Sequence, residues 1–400
     1  TSADQVAIAP GYLIEESTEG DRRRFVYEMD APMQNFFAVL SARYASRIEE
    51  HNGVQLAVFY HPEHHWNVER IIESLKDSIS YFSETYSPYQ YRQMRVLEFP
   101  AYATFAQSFP NTVPWSESIG FIADVTDPED IDYVYYVGAH EVAHQWWAHQ
   151  VSAANVQGQS SIFETLSQYS ALMLMEREYG PHIMRRFLKY ELDSYLSSRG
   201  GEAIEELPLY RVENQGYIHY RQGSIVMYAL KDYMGQDAID TALRNFVAEF
   251  AYKTDPYPTS RDLIRHLRSQ ATSEEQQALI TDLFERIMLW DLKVEEATVS
   301  ERSDGRFDVS IDVSASKFES DGSGAQTEMP LDLPIDIGVF SENPDDVTEG
   351  DEHVLLLEKY RVQTGEKTFR LVVDEKPTHV GIDPYNKLID RNSDDNLKAL

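Results

Sequence analysis

The sequence predicts an α+β protein in which a mostly helical domain is followed by a C-terminal β-sandwich. Apolar residues recur at helical spacing through most of residues 160–290, and the period then changes to two. The length of 400 residues exceeds what one hydrophobic core usually supports. We therefore expect an N-terminal strand and loop segment at 1–60, the helical domain at 61–291 and the sandwich at 292–400.

In the first 150 residues we expect strands to alternate with helices. The short apolar run QLAVFYHP (55–62) is typical of a buried strand, and RQMRVLEFP (92–100) predicts a second one closed by proline. Between them a helix should begin after Asn67, a plausible N-cap. Its apolar stripe is Val68, Ile71, Ile72, Leu75, Ile79 and Phe82. Residues 131–150 have the length and low turn content of a long, largely buried helix.

The rest of the chain separates a helical region from a strand region. Three helices are expected, at 224–234, 237–253 and 260–270. Ser273 with Gln276 then forms a capping-box start for a further helix. RFDVSIDVSAS (306–316) alternates apolar and polar residues, as a half-buried strand does. About seven short strands should make up the tail, with a loop at 319–330.

Composition excludes several classes of partner and site. Asp and Glu number 67 against 35 Lys and Arg, which gives a formal net charge of -32. Nucleic acid and anionic membrane surfaces would be repelled by such a surface. There is no cysteine, so a metal site would have to use His, Asp or Glu. No apolar run approaches the roughly 18 residues that a membrane-spanning helix needs.

The segment HEVAH carries the pattern of a zinc hydrolase. His140 and His144 are four residues apart, so on a helix both imidazoles leave the same face one turn apart. Both ring nitrogens can then reach one ion at roughly 2.0–2.1 Å. Glu141 is rotated by about 100° from His140 and can reach a water on that ion without being a ligand. This is the H-E-x-x-H signature, in which the glutamate is the general base.

A third ligand is expected to be Glu164. It is the one acidic residue between Gln145 and Met175, within an apolar-rich helical stretch where an unpaired carboxylate is costly to bury. His149 is the rival ligand. Five residues beyond His144, it would point about 140° away from the face that carries the other two rings. We therefore expect one Zn²⁺ held by His140, His144 and Glu164.

With these residues the chain resembles peptidase family M1, the gluzincin zinc aminopeptidases. In that family H-E-x-x-H is followed by eighteen residues and then by the glutamate of N-E-G-F-A-x-Y. Here nineteen residues separate HEVAH from Glu164, and Tyr169 keeps the position of the motif tyrosine. The extra residue is expected in the loop before Glu164. The resemblance covers roughly residues 55–290 and implies a thermolysin-like catalytic domain.

The resemblance also implies two further site residues. YIHYRQGSIVMYAL (217–230) is similar to the family's Y-x-K-G element, which assigns Tyr220 as the donor to the oxyanion, with Gln222 in place of the lysine. PWSESIGF (114–121) is similar to G-x-M-E-N-W-G-L, and Glu117 occupies the position of the glutamate that binds the substrate's free amine. Only Glu117 and Gly120 match that element strictly.

The implied function is zinc-dependent hydrolysis of peptide substrates by a Glu-activated, zinc-bound water, with removal of N-terminal residues. A zinc endopeptidase and a non-catalytic peptide-binding domain of a transporter are the alternatives. This compact version resembles the peptidase portion of bacterial proteins that join such a domain to a transporter-type permease. We therefore expect it to be part of a longer, membrane-anchored chain. Oligomeric state and substrate side-chain preference are not predicted.

Two other polar clusters receive a different interpretation. HPEHHW (61–66) contains three histidines but is expected in a strand-to-helix turn without acidic support, which favours a surface loop over a metal site. The acidic stretch NPDDVTEGDE (343–352) is expected to be a solvated turn rather than a calcium loop.

Overall fold

The computed structural model describes residues 1–127 and 130–400, and its mixture of helices and strands confirms the α+β class. The helices are α1 Val68–Thr85, α2 Tyr133–Ala143, α3 Leu166–Tyr179, α4 Met184–Gly200, α5 Gly223–Met234, α6 Gln236–Phe250, α7 Ser260–Gln270 and α8 Glu274–Ile280. The first eight strands are β1 Val6–Ile8, β2 Tyr12–Glu19, β3 Arg22–Glu28, β4 Leu40–Ala42, β5 Ala45–His51, β6 Val54–Tyr60, β7 Gln93–Phe99 and β8 Thr112–Ser116. The others are β9 Ile287–Glu301, β10 Phe307–Ser320, β11 Gln326–Met329, β12 Asp332–Phe340, β13 Val354–Gln363, β14 Gly365–Val373, β15 His379–Ile382 and β16 Leu397–Ala399.

Contacts within the described residues divide the chain into two compact units. The first contains Thr1–Asn155, Ile162–Leu174 and Asp240–Leu263. The second contains Val156–Ser161, Met175–Ile239 and Ile264–Leu400. The domain limits that the sequence favours, at residues 60 and 291, stay a prediction. Within the described part of the chain, no helix has both the length and the apolar character needed to cross a membrane.

The first unit is built on a four-stranded sheet in the order β5-β6-β7-β8. β5 pairs antiparallel with β6, whereas β6 with β7 and β7 with β8 are parallel. α1 buries the predicted apolar stripe between the sheet and α2. Asn67 is at the predicted N-cap position, but its side chain does not cap the helix. Its amide instead donates to the carbonyl oxygens of Gly120 and Ala123, which joins α1 to the segment after β8.

The predicted long helix at 131–150 is shorter than expected. α2 begins after Asp132, whose side chain accepts a hydrogen bond from the Tyr135 amide, and ends at Ala143. The amides of Gln145 and Trp146 bond to carbonyls three residues back, so the chain tightens into turns. Apolar composition predicts that residues 144–150 are buried, and all except the half-buried Ala148 and His149 are. Composition did not indicate the turns.

The second unit combines helices with two four-stranded antiparallel sheets. In one sheet β10 pairs with β9, β11 and β14, and the other has the order β13-β12-β15-β16. The predicted tail therefore contains eight strands in the described residues, and β11 lies inside the stretch expected to be a loop. The Lys387 ammonium joins α5 to this region by pairing with Asp232 and Asp336. Half of the predicted capping box is confirmed, because the Ser273 side chain accepts from the Gln276 amide. The Gln276 side chain accepts from the Thr272 amide rather than from that of Ser273.

Candidate metal centre

The last turn of α2 and the residue that caps it bring two histidines to one buried point in the first unit. His140 and His144 are each 7% exposed, and their Nε2 atoms are 3.0 Å apart. The Glu164 Oε2 atom lies 3.4 Å from His140 Nε2 and 3.3 Å from His144 Nε2. The structure thus brings together the three residues that the sequence predicts as ligands.

The triangle of donor atoms has the size that a zinc ion requires. Ligand atoms at 2.0–2.1 Å from a common tetrahedral centre are about 3.3 Å apart. The three measured separations, 3.0, 3.3 and 3.4 Å, are close to that value. Glu164 Oε2 is buried and accepts no hydrogen bond, which is unusual for a carboxylate oxygen. A small divalent cation at this point would satisfy it.

The surroundings of the cluster favour the ionised form of Glu164 and the protonated form of His144. Burial opposes ionisation of Glu164, but the positive charge of His144 and the closeness of both imidazole rings hold the pKa of its carboxyl well below the usual range. Burial would likewise lower the pKa of His144, yet the Glu164 carboxylate raises it to about 9. The cluster is therefore built to hold positive charge beside Glu164.

Glu141 faces a different environment from Glu164. Its side chain is 6% exposed, and one of its carboxylate oxygens, Oε2, is buried without a hydrogen-bond partner. Burial raises the pKa of this carboxyl, against the opposing effect of the two histidines. A raised pKa is what a general base working near neutral pH requires.

Residues just beyond α2 fix the orientation of His144. Its Nδ1 atom lies 3.2 Å from the Trp147 carbonyl oxygen and 3.1 Å from Ser167 Oγ. Because a carbonyl oxygen can only accept, Nδ1 carries a proton, and Nε2 is the ring nitrogen that faces the cluster. Such partners set the tautomer of a metal-binding histidine. No motif in the sequence indicated this role of Ser167.

The strand segment before β8 holds the last turn of α2 in place. The Ser108 hydroxyl donates to the Glu141 carbonyl oxygen at 2.8 Å. The Gln145 side chain donates to Ser108 Oγ and to the Phe109 carbonyl, and it accepts from the Asn111 amide. This network explains why Gln145 is fully buried, and it leaves the ring of His144 little freedom to move.

Glu164 reaches the cluster from a π-helical turn at Ser161–Thr165 that leads into α3. A π turn holds one residue more than an α turn and often occurs at functional sites. It therefore offers a second place, besides the preceding loop, for the extra residue between HEVAH and Glu164. Trp147 connects the turns after α2 to α3, because its indole N–H donates to Ser170 Oγ on α3 at 3.0 Å.

Glu117 follows β8 and belongs to the same unit as the histidines. The Trp115 ring of β8 lies at ordinary van der Waals distance from the place that a Cβ would take at Gly138 on α2. Glu117 Oε1 accepts a hydrogen bond from the Ala101 amide at 2.9 Å. Its other oxygen, Oε2, is 3.7 Å from His64 Nδ1.

His64 overturns part of the interpretation of HPEHHW. The stretch does form a strand-to-helix turn, and His65 is exposed as expected. His64, however, contacts Glu98 at the end of β7 as well as Glu117, so it does have acidic support. The two carboxylates are 34 and 53 residues away in sequence, and no local pattern could reveal them.

Tyr220 belongs to the second unit. It is half-buried on a second π-helical turn, Tyr217–Gln222, which leads directly into α5, and its ring packs against His219 with centroids 4.5 Å apart. Glu164 and Tyr220 thus both occupy π turns at the start of a helix, a feature that periodicity in the sequence did not indicate.

The remaining candidates have structural partners. His149 Nε2 donates to the Ser108 carbonyl oxygen at 3.2 Å, and the ring is not part of the ligand cluster. In the acidic stretch 343–352, Asp345 pairs with Arg185, and among the described residues this stretch forms no group of ligand atoms close enough to hold a metal.

The chain is similar to known proteins of one peptidase family. A model of the peptidase family M1 domain matches residues 70–286, just over half of the chain. Endoplasmic reticulum aminopeptidase 2 from Homo sapiens is 23% identical over 218 residues, which are 50% of this chain and 22% of that protein. The crystal structure of Legionella pneumophila aminopeptidase A in complex with aspartic acid is similar over 96% of this chain and 42% of its own, with a TM-score of 0.64 and 15% identity. The chain thus spans less than half the length of either relative.

Proposed function

Because the chain belongs to peptidase family M1, we propose that it is a zinc metallopeptidase that removes residues from the amino terminus of peptides. The observation that carries this proposal is the buried triangle of His140, His144 and Glu164, whose donor atoms have the spacing of zinc ligands. Both relatives named above are aminopeptidases. They are much longer than this chain, so the activity is proposed from the site itself.

Each residue of the first unit has a separate task in this proposal. His140, His144 and Glu164 hold the ion, which when bound supplies a Lewis acid that activates water and polarises the scissile carbonyl. The Glu141 carboxylate accepts the proton of the attacking water and later passes it to the nitrogen of the leaving amine. Burial, which raises the pKa of Glu141, supports this role because it makes the carboxylate a stronger base.

Two further roles rest on the family resemblance. Tyr220 donates a hydrogen bond from its phenol to the oxyanion that forms as the carbonyl is attacked, a task worth about 2.7–4 kcal/mol for comparable donors. Glu117 binds the substrate's α-ammonium, which places the first peptide bond at the site. Its 24% exposed side chain, beside a cavity, supports access for a substrate.

The decisive experiment separates metal binding from proton transfer. Glu141→Gln should abolish hydrolysis of an aminoacyl substrate and keep one tightly bound zinc ion, because the amide cannot accept the proton. His144→Ala should lose both that ion and the activity. Zinc content is measured by mass spectrometry and turnover by release of a fluorogenic leaving group.

A matched control excludes a general effect of removing a carboxylate. Glu84 is exposed on α1, and Glu84→Gln should leave both zinc content and turnover unchanged. Full activity of Glu141→Gln on every hydrolysed substrate would contradict the mechanism.

One observation favours a second candidate function, a zinc endopeptidase. The Glu117 carboxylate already accepts from the Ala101 amide and lies beside His64, so part of its capacity to bind an ammonium is occupied. Wild-type protein is therefore compared on free and N-acetylated forms of one peptide. An aminopeptidase cleaves only the free form, an endopeptidase cleaves both, and a non-catalytic binding domain binds peptide and cleaves neither.

The organisation of the chain belongs to the same proposal. We infer a β-sandwich domain at 292–400, which is supported by the two four-stranded sheets of the second unit. Attachment to a permease in a longer, membrane-anchored chain stays a prediction from the resemblance.

A further inference from the structure

A second cluster of metal-binding side chains lies in the first unit, apart from the HEVAH histidines. It consists of His64 in the turn before α1, Glu98 at the end of β7 and Glu117 after β8. One ligand atom from each residue lies within 4.8 Å of the other two. His64 Nδ1 is hydrogen-bonded to Glu98 Oε1, and Glu117 Oε2 is 3.7 Å from the same nitrogen. We call these three residues the His64 cluster.

The charges of the His64 cluster do not balance. The Glu98 side chain is only 4% exposed, and its second oxygen accepts from the His61 amide at 2.5 Å. Among the described residues, His64 is the one ion-pair partner of Glu98 and of Glu117. Two acidic side chains thus share a single imidazole at a partly buried point, so acidic groups outnumber basic ones there. Such a point attracts a cation.

The surroundings leave room for an ion to enter. A cavity of about 390 Å³ borders the cluster and is lined in part by Tyr44, His61, Glu98 and Glu117. His64 and Glu117 are 22% and 24% exposed, so both side chains can adjust. A cavity of this size has room for the water ligands that would complete the coordination of an ion.

The donor set selects the class of ion. One imidazole nitrogen with two carboxylate oxygens suits a divalent transition metal such as Zn²⁺. Calcium requires six to eight oxygen ligands, which this cluster does not provide. For His64 to bind a metal through Nδ1, its proton must lie on Nε2, and the hydrogen bond to Glu98 must open to the spacing of two ligands of one ion.

We propose that His64, Glu98 and Glu117 form a second divalent-metal site, weaker than the first, whose ion competes with the substrate's α-ammonium for Glu117. The competition rests on the proposed function, in which Glu117 binds that ammonium. The site itself does not depend on it. Excess zinc would then inhibit the enzyme through substrate binding rather than through the reacting centre.

Metal stoichiometry tests the site without any use of activity. The protein is dialysed to equilibrium against buffered free Zn²⁺, and bound metal is measured by mass spectrometry. Wild type should bind two ions per chain, and His64→Ala should bind one. His144→Ala should lose the tight ion and keep the weak one. Mg²⁺ and Ca²⁺ at the same free concentration should not fill the weak site.

The chain offers a matched control for this experiment. His65 is the exposed neighbour of His64 in the same turn and is outside the cluster, so His65→Ala should still bind two ions. His64→Gln keeps a polar side chain of similar length, and it guards against a loss of folding in His64→Ala. The proposal would be wrong if the wild type bound only one zinc ion per chain, or if both His64 variants still bound two.

Kinetics test the consequence for the substrate. With free zinc at about ten times the dissociation constant of the weak site, competitive binding raises KM for a free-amine substrate about tenfold and leaves kcat unchanged. His64→Gln should lose this rise, whereas His65→Ala should keep it. If zinc still inhibits the His64→Gln variant, the inhibitory ion binds outside the His64 cluster, and the proposed competition for Glu117 is wrong. Absence of any turnover together with two bound ions would reject the proposed function and retain the second site.

Discussion

Tyr220 is the single residue whose substitution best separates binding from catalysis. Tyr220→Phe removes one hydroxyl and keeps the ring that packs against His219. If Tyr220 has the proposed oxyanion role, its hydrogen bond is made chiefly in the transition state, so kcat should fall by about 10²–10³-fold while KM changes little. Steady-state kinetics on one aminoacyl substrate measures both constants. A large rise in KM with kcat intact would assign Tyr220 to substrate binding.

Tyr217 provides the control for that substitution. It lies on the same π turn and stacks on Tyr195 with ring centroids 5.9 Å apart. Tyr217→Phe should therefore leave kcat close to the wild-type value. An equal loss in both variants would indicate damage to the turn rather than loss of an oxyanion donor.

His149 makes the stability of the protein depend on pH. Burial lowers the pKa of its imidazole to about 4, and Nδ1 is buried without a hydrogen-bond partner, so protonation would bury an unpaired N–H group. In the unfolded chain its pKa is about 6.5. Between these values the unfolded state binds more protons, so the free energy of unfolding falls as pH falls from 6.5 to 4.

The variant His149→Gln should remove this dependence. Its amide can still donate to the Ser108 carbonyl but does not titrate. Relative to pH 7, wild type should lose about 2 kcal/mol more than the variant by pH 5. Urea unfolding of both metal-free proteins at the two pH values measures the difference, and the exposed His65→Gln serves as control. Parallel pH profiles of wild type and His149→Gln would show that His149 titrates normally.

Individual residues also show what sequence could and could not predict about the site. His140, His144 and Glu164 could be named because two lie one helical turn apart and the third is the one acid in its stretch. Glu98 could not be associated with His64, because sheet pairing brings β7 beside the turn that carries it. Spacing within one helix is visible in a sequence, whereas contacts between distant strands are not.

At the scale of elements, α2 depends on its close contact with α1. A Cβ added at Gly138 would lie 2.6 Å from Ser74 Oγ and 3.0 Å from Ser74 Cβ on α1. Helix propensity alone would make Gly138→Ala stabilising by about 1 kcal/mol. Overpacking instead should lower the free energy of unfolding by about 1–3 kcal/mol. It should also weaken zinc binding, because His140 lies on α2 and His144 caps its C-terminal end.

Thermal unfolding and zinc titration measure the two effects of Gly138→Ala. Gly200→Ala on α4 is the control, since nothing lies within 4 Å of a Cβ there. The double variant Gly138→Ala with Ser74→Ala lacks the closest atom, Ser74 Oγ, and should recover part of the lost free energy of unfolding. If Gly138→Ala matched or exceeded the stability of the wild type, the two helices would have room to separate.

The elements also explain where helix prediction failed. Apolar composition continues past Ala143, but the buried side chains of Gln145 and Trp146 are held by residues 108–111 and by Ser87, and the backbone turns there. The π turn before α3 is likewise set by packing rather than by propensity. Strand and helix type could be predicted from period, whereas the ends of α2 and the turns at Glu164 and Tyr220 required tertiary contacts.

For the whole molecule, the dominant physical property is its charge of -32. Two opposing electrostatic effects contribute to its stability. Repulsion among the excess carboxylates favours the unfolded chain, in which they are farther apart. Exposed ion pairs such as Arg43 with Asp4 favour the folded chain, but each contributes only about 0–1 kcal/mol. Salt weakens both effects, so the sign of the salt dependence shows which one is larger.

We expect repulsion to dominate, so that added salt stabilises the fold. Screening shortens from about 30 Å at 0.01 M to about 3 Å at 1 M ionic strength, which removes long-range repulsion among 67 acids before it removes contacts at ion-pair distance. The free energy of urea unfolding, measured at saturating zinc, should rise between these concentrations. NaCl and KCl should give the same slope if the effect is screening rather than binding of one ion. A decrease in the free energy of unfolding with added salt would mean that the ion pairs outweigh the repulsion and that the acidic surface destabilises the fold little.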